Sequence, residues 1–88
     1  MLVYILTSTA ESTNKTMVLG VFADKEKARA EMKSLFESSK KFWDNEGTDN
    51  YVEVRIELYN DYAEAYCVDS DYERAGMSWN IETFEVEE

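Results

Sequence analysis

The stretch YVEVRIELYNDYAEAYC, residues 51–67, constrains the fold of this chain more than any other. Val52, Val54, Ile56 and Leu58 alternate with Glu53, Arg55, Glu57 and Tyr59, the period of a β-strand with one apolar and one polar face. A second alternating run follows Asn60-Asp61. With those two residues as the turn, Leu58 lies across from Ala63, Ile56 from Ala65 and Val54 from Cys67, so every inner pair is apolar. The outer pairs are then Tyr59/Tyr62, Glu57/Glu64 and Arg55/Tyr66. Glutamate directly opposite glutamate is destabilising by up to about 1 kcal/mol, and this polar face reads either as a solvated acidic surface or as a binding surface. The small inner residues Ala63 and Ala65 leave room for a helix to sit close.

That helix is expected to follow Asp24, a good N-cap. Ala28, Met32, Leu35, Ser39 and Phe42 recur at spacings of four and three, and Phe36 and Trp43 widen the stripe. The pattern predicts an amphipathic helix of about five turns, laid on one sheet face and stopped by Asn45 and Gly47. Lys27/Glu31 and Glu37/Lys41 add i,i+4 pairs worth roughly 0.2–0.5 kcal/mol each. Lys33, Lys40 and Lys41 are interleaved with Glu37 and Asp44 and do not make a basic patch.

Leu2 to Leu6 is a continuous apolar run, read as a strand central in its sheet or covered on both faces. Thr7 to Lys15 reads as a Ser/Thr/Asn-rich loop, and Thr16 to Phe22 as a returning strand with a bulge at Gly20. Asp69 to Gly76 reads as a polar connection with a helical turn. Ser78 to Val86 closes the chain as a strand whose alternation slips between Ile81 and Phe84, which predicts a bulge. The expected fold is α+β: one domain over residues 1–88, with an antiparallel sheet of four or five strands in the chain order ββαβββ and one helix across it.

The formal net charge of −10 is unevenly spread. Residues 1–45 hold seven basic and six acidic side chains, whereas residues 46–88 hold two basic (Arg55, Arg74) and thirteen acidic ones. Phosphate would be repelled, so direct binding to nucleic acid or to an anionic membrane is not expected, and a basic protein or a cation is the partner this field attracts. Nothing reads as a signal peptide or a spanning segment, and the expected location is the cytoplasm of a bacterial host cell.

Most catalytic chemistries lack their parts. The chain has no histidine and a single cysteine, which removes the usual general base, triad partner and disulfide or Cys-based zinc site. Cys67 points inward in the hairpin register, as a small core residue. No phosphate-cradling glycine motif occurs. Asp69, Asp71 and Glu73 begin like a calcium loop, but Arg74 stands where glycine is needed and Asn80 where a bidentate glutamate is needed. Paired carboxylates of a glycosidase would need a cleft that a single small sheet with one helix does not supply. No cofactor, metal ligand or catalytic residue is expected, and the chain is read as not an enzyme.

The opening M-L-V-Y-I-L, the segment G-V-F-A-D-K-E-K-A and the closing W-N-I-E-T-F-E-V together resemble a loose class of short bacterial and phage proteins. In these, a small sheet is followed by a helix and a terminal acidic strand. The resemblance covers about a third of the chain and implies fold alone. In size, acidity and lack of catalytic groups the chain is also similar to phage-encoded inhibitors of bacterial defence nucleases, anti-CRISPR proteins among them.

Five of the six tyrosines lie between Tyr51 and Tyr72, among many carboxylates. Such a surface fits a binding protein, because tyrosine supplies rigid contact area with a polar tip. The expected partner-binding residues are Glu53, Glu57, Tyr59, Asp61, Tyr62, Glu64, Tyr66, Asp69, Asp71 and Glu73. Side chains two apart on a strand lie roughly 6.7 Å apart, near the spacing of two phosphate steps. The sharpest expectation is therefore a nucleic-acid mimic that inhibits by blocking a basic groove. The alternative is an assembly module that homodimerises through an edge strand and the tyrosine-rich face.

Overall fold

The computed structural model describes residues 1–87 and contains five strands and one helix. In chain order these are β1 (Leu2–Ala10), β2 (Lys15–Phe22), α1 (Lys25–Glu46), β3 (Glu53–Leu58), β4 (Tyr62–Val68) and β5 (Arg74–Glu85). The strands form one sheet in the order β2-β1-β5-β4-β3, antiparallel throughout. This is the α+β arrangement ββαβββ read from the sequence. No described helix is long and apolar enough to cross a membrane.

The β3–β4 register is the one that the alternation dictates. Leu58 pairs with Ala63, Ile56 with Ala65, Val54 with Cys67, Glu57 with Glu64 and Arg55 with Tyr66. The bulge at Gly20 is present as well. The β1–β2 register shifts between Leu6, which faces Gly20, and Thr7, which faces Val18, leaving Leu19 as the extra residue.

Three boundaries differ from the sequence reading. β1 continues through Thr7, Ser8, Thr9 and Ala10, so the expected loop shrinks to Glu11–Asn14. β-branched threonines suit a pleated surface, and Asn14 closes the turn at φ 58, with its N–H donating to the Ala10 carbonyl at 2.7 Å. β5 begins at Arg74 and pairs with β1 from Ala10↔Met77 to Leu2↔Glu85 without a shift. The expected bulge is absent because Ile81 turns to the helix face while Phe84, paired with Val3, takes the other. Asp69–Glu73 is a tight turn with no helical residue.

Asp24 caps α1, its Oδ1 accepting from the Glu26 N–H at 2.9 Å, and the Gly47 N–H donates to the Trp43 carbonyl at 2.9 Å. The buried stripe is Ala28, Met32, Phe36 and Trp43. Phe42, expected within the stripe, lies about 100° around the helix from Trp43 and is 54% exposed. Against the stripe pack Leu6 of β1, Ala63, Ala65 and Cys67 of β4, and Trp79 and Ile81 of β5. The alanines bring helix and sheet close enough for the Trp43 indole N–H to donate to the Ala65 carbonyl at 3.1 Å.

Met32 is 1% exposed, so Met32→Ala should lower unfolding free energy by about 2–5 kcal/mol. Phe42→Ala, on the rim, should stay within about 0.5 kcal/mol of the parent. Paired denaturant titrations distinguish the two; equal losses would put Phe42 back in the core stripe.

Candidate functional site

The sheet face away from α1 carries the expected binding residues of β3 and β4. Register places Glu57, Glu64, Ser78, Thr9 and Thr16 in one row across all five strands. The opposed glutamates are tolerated because each is served by a phenol from its own strand. The Tyr59 hydroxyl donates to Glu57, and the Tyr62 hydroxyl donates to Glu64 Oε2 at 3.0 Å. The two tyrosine rings stack across the turn with centroids 6.2 Å apart. A residue two positions along a strand lies on the same face, so the Tyr-Glu spacing makes both bonds local.

Much of this face is closed over. Glu64 is 8% exposed and Tyr66 7%. The cover comes from the β1–β2 turn, which the sequence reading left outside the site. The Glu11 N–H donates to the Gly76 carbonyl at 3.0 Å, and its carboxylate accepts from Arg74 Nη1 at 3.0 Å and Ser78 Oγ at 3.2 Å. The Arg74 guanidinium lies over the Tyr66 ring, 5.0 Å from its centroid. Gly76 faces Tyr66 at φ 131, and a Cβ there would come within 2.3 Å of the Ala65 carbonyl oxygen. Only glycine fits this crossing. Glu11 gave no signal in the sequence because its partners are more than sixty residues away along the chain.

The remaining expected residues separate into two groups at opposite ends of β4. At the β3–β4 turn, Asp61 is tied to the fold. Its carboxylate accepts from Arg29 Nη2 at 3.1 Å and lies 3.4 Å from Lys25 Nζ, while its carbonyl accepts from the Ile81 N–H at 2.8 Å. At the other end Asp69 is also structural, with Oδ1 accepting from the N–H groups of Asp71 (2.9 Å) and Glu73 (3.0 Å). Asp71 and Glu73 are exposed beside Tyr72, which sits at φ 63 and is 85% exposed. Glu53, Glu57 and Tyr59 are exposed along the β3 edge, and Arg55 Nε donates to Glu53 at 2.7 Å.

Comparison with known protein families, curated proteins and solved structures gives no match. Function must therefore be read from these residues alone.

Chemically, the covered part of the face is a set of satisfied acceptors. Glu11 and Glu64 take phenol, hydroxyl and guanidinium donors, and no buried side-chain polar atom among the described residues lacks a partner. Among those residues no three His, Cys, Asp or Glu side chains gather to hold a metal ion. Cys67 is fully buried in the helix-side core, where desolvation pushes its thiol pKa up, away from the reactive thiolate. Burial and the bond to Glu64 push the Tyr62 phenol up to about 12. Burial likewise raises Tyr66, against the opposing effect of Arg74.

The folded state thus holds the Tyr62 proton more tightly than the unfolded chain does, whose phenol has the ordinary value of 10.0. Its contribution to stability is complete below pH 10 and is lost as pH climbs from 10 toward 12. In a spectrophotometric titration, Tyr62→Phe should remove a phenolate step near 12 and flatten the fall of stability over that window. If the step lost in the variant lies near 10 instead, the buried, Glu64-bonded setting of Tyr62 does not form.

Proposed function

We propose that this protein is a non-enzymatic binding module that presses its acidic surface against a basic protein, in the sharpest case filling a groove built for nucleic acid. The observation that carries this reading is the division of the carboxylates into two sets. Glu11, Asp61, Glu64 and Asp69 are held by donors of the fold itself. Glu53, Glu57, Asp71 and Glu73 are exposed; Glu53 pairs with Arg55 and Glu57 accepts from Tyr59 at the surface, and the net field of the four points outward and is negative. Tyr59 and Tyr72, 54% and 85% exposed, flank the two ends of this field. Tyr72 stands on a turn fixed by the Asp69 bonds, so less side-chain and loop freedom is lost when a partner covers it.

Because Glu64 is buried and bonded, reversing its charge would test folding more than binding. The exposed set is the proper probe. Glu57→Lys with Asp71→Lys and Glu73→Lys should leave the fold intact. The triple variant should release a basic nucleic-acid-binding protein that the parent retains from a bacterial lysate at low salt and sheds at high salt. Equal capture by parent and variant would overturn the acidic-surface reading.

A second reading, an assembly module, is favoured by β2. This edge strand exposes Met17, Val18, Leu19 and Val21, and Lys15 is its only charged residue. An apolar edge with unpaired backbone groups is a template for pairing with a second copy, and here it lies at the sheet edge opposite the acidic β3. If it pairs, light scattering at rising concentration should give a dimer mass that persists in high salt, and Val18→Lys should return the monomer. A monomer mass for the parent at all concentrations would dismiss it.

A further inference from the structure

At the acidic end of the molecule, a cleft of about 500 Å³ opens between the last turn of α1, the loop leading to β3 and the start of β5. Phe42, Trp43 and Tyr51 line it, together with Glu46, Asn50 and Gly76. The Phe42 and Tyr51 rings stand nearly perpendicular to the indole, at centroid distances of 5.2 and 5.4 Å. The indole is fixed in turn by its bond to the Ala65 carbonyl. Phe42, more than half exposed, and the half-buried Tyr51 offer ring surface to an entering group, with the buried Trp43 as the wall between them.

The electrostatics at this point favour a positive group. A helix ends here, and its negative pole is normally complemented by Lys, Arg or His in the last turn. The last turn of α1 has no basic residue and instead carries Asp44 and Glu46. Carboxylate, helix pole and aromatic faces converge on one cavity of ligand-binding size. Phe42 is exposed, and among the described residues neither Asp44 nor Glu46 forms an ion pair.

We propose that this cleft receives an arginine side chain of the partner protein, the guanidinium stacking on the exposed Phe42 ring beside Tyr51 and donating to Glu46. Arginine fits better than lysine because its planar, weakly hydrated head stacks on aromatic faces and pairs with a carboxylate through a fixed fork of donors. The proposal rests on the basic-partner reading and names the chemistry that such a partner brings. It is tested without the partner.

The probe is N-acetyl-arginine amide, titrated into isotopically labelled protein while amide and indole N–H resonances are followed. N-acetyl-citrulline amide serves as the uncharged isostere and tetramethylammonium as a compact cation. Saturable shifts at the Trp43 indole and the Gly47 and Gly76 amides are expected with arginine, at an apparent Kd on the order of millimolar. The isostere should leave these resonances in place. Glu46→Gln and Phe42→Ala should each weaken binding about threefold or more, with the rest of the spectrum unchanged. Absence of shifts, equal shifts with the isostere, or tighter binding of tetramethylammonium would each overturn the arginine site. Those outcomes leave the acidic-surface reading standing, which the charge-reversed triple variant tests separately.

Discussion

β4 is buried on both of its faces, and the rest of the molecule is arranged around that constraint. All its residues after Tyr62 are buried, from Ala63 to Val68. On one side Ala63, Ala65 and Cys67 lie under α1; on the other, Glu64 and Tyr66 lie under the Arg74–Glu11 pair. Burial on both faces is usual for apolar strands in parallel sheets. Here two of the six buried side chains, Glu64 and Tyr66, are polar or amphipathic, so the second face needs hydrogen-bond partners. The Tyr62 phenol, the Arg74 guanidinium and the hooked β1–β2 turn supply them.

The helix side of this fold was legible in the sequence, and the other side was not. Val54, Ile56, Leu58, Ala63, Ala65 and Cys67 alternate with period two around a two-residue turn, so a single register puts all of them inward. A one-residue slip would turn them all outward. Asp24 and Gly47 mark helix ends through local backbone geometry, which neighbouring residues encode. Glu11 and Arg74 belong to the site through contacts between β1 and β5, and no local pattern states which strands are neighbours in space. Phe42 was misplaced for a related reason: a stripe of spacings three and four admits two adjacent positions, and only the width of the sheet beneath decides which is covered.

The candidate surface was read as one tyrosine-and-glutamate patch, and most of the named residues do share a region of the fold. Separating them by the job each side chain already does gives a sharper picture. Asp61 fastens a turn to the start of α1, Asp69 shapes a turn, and Glu64 and Tyr66 seal a sheet face. The side chains with capacity left over are at the two ends of β4 and along the β3 edge. The binding surface proposed above then runs from the β3 edge to the Asp69–Glu73 turn, and the aromatic cleft beside Glu46 belongs to the turn end of it.

β5, the central strand of the sheet, and its neighbour β1 are the last and first in chain order. Their nine-pair ladder joins the β1–β2 hairpin to the β3–β4 hairpin. During synthesis β1 and β2 emerge together with both edges bare, and Leu2 to Leu6 must wait for β5 before either the ladder or the helix-side core can close. An isolated two-stranded hairpin is marginal in water, and contacts so distant along the chain make for slow folding. The nascent protein therefore passes through an interval in which its most apolar strand is unpaired on one side.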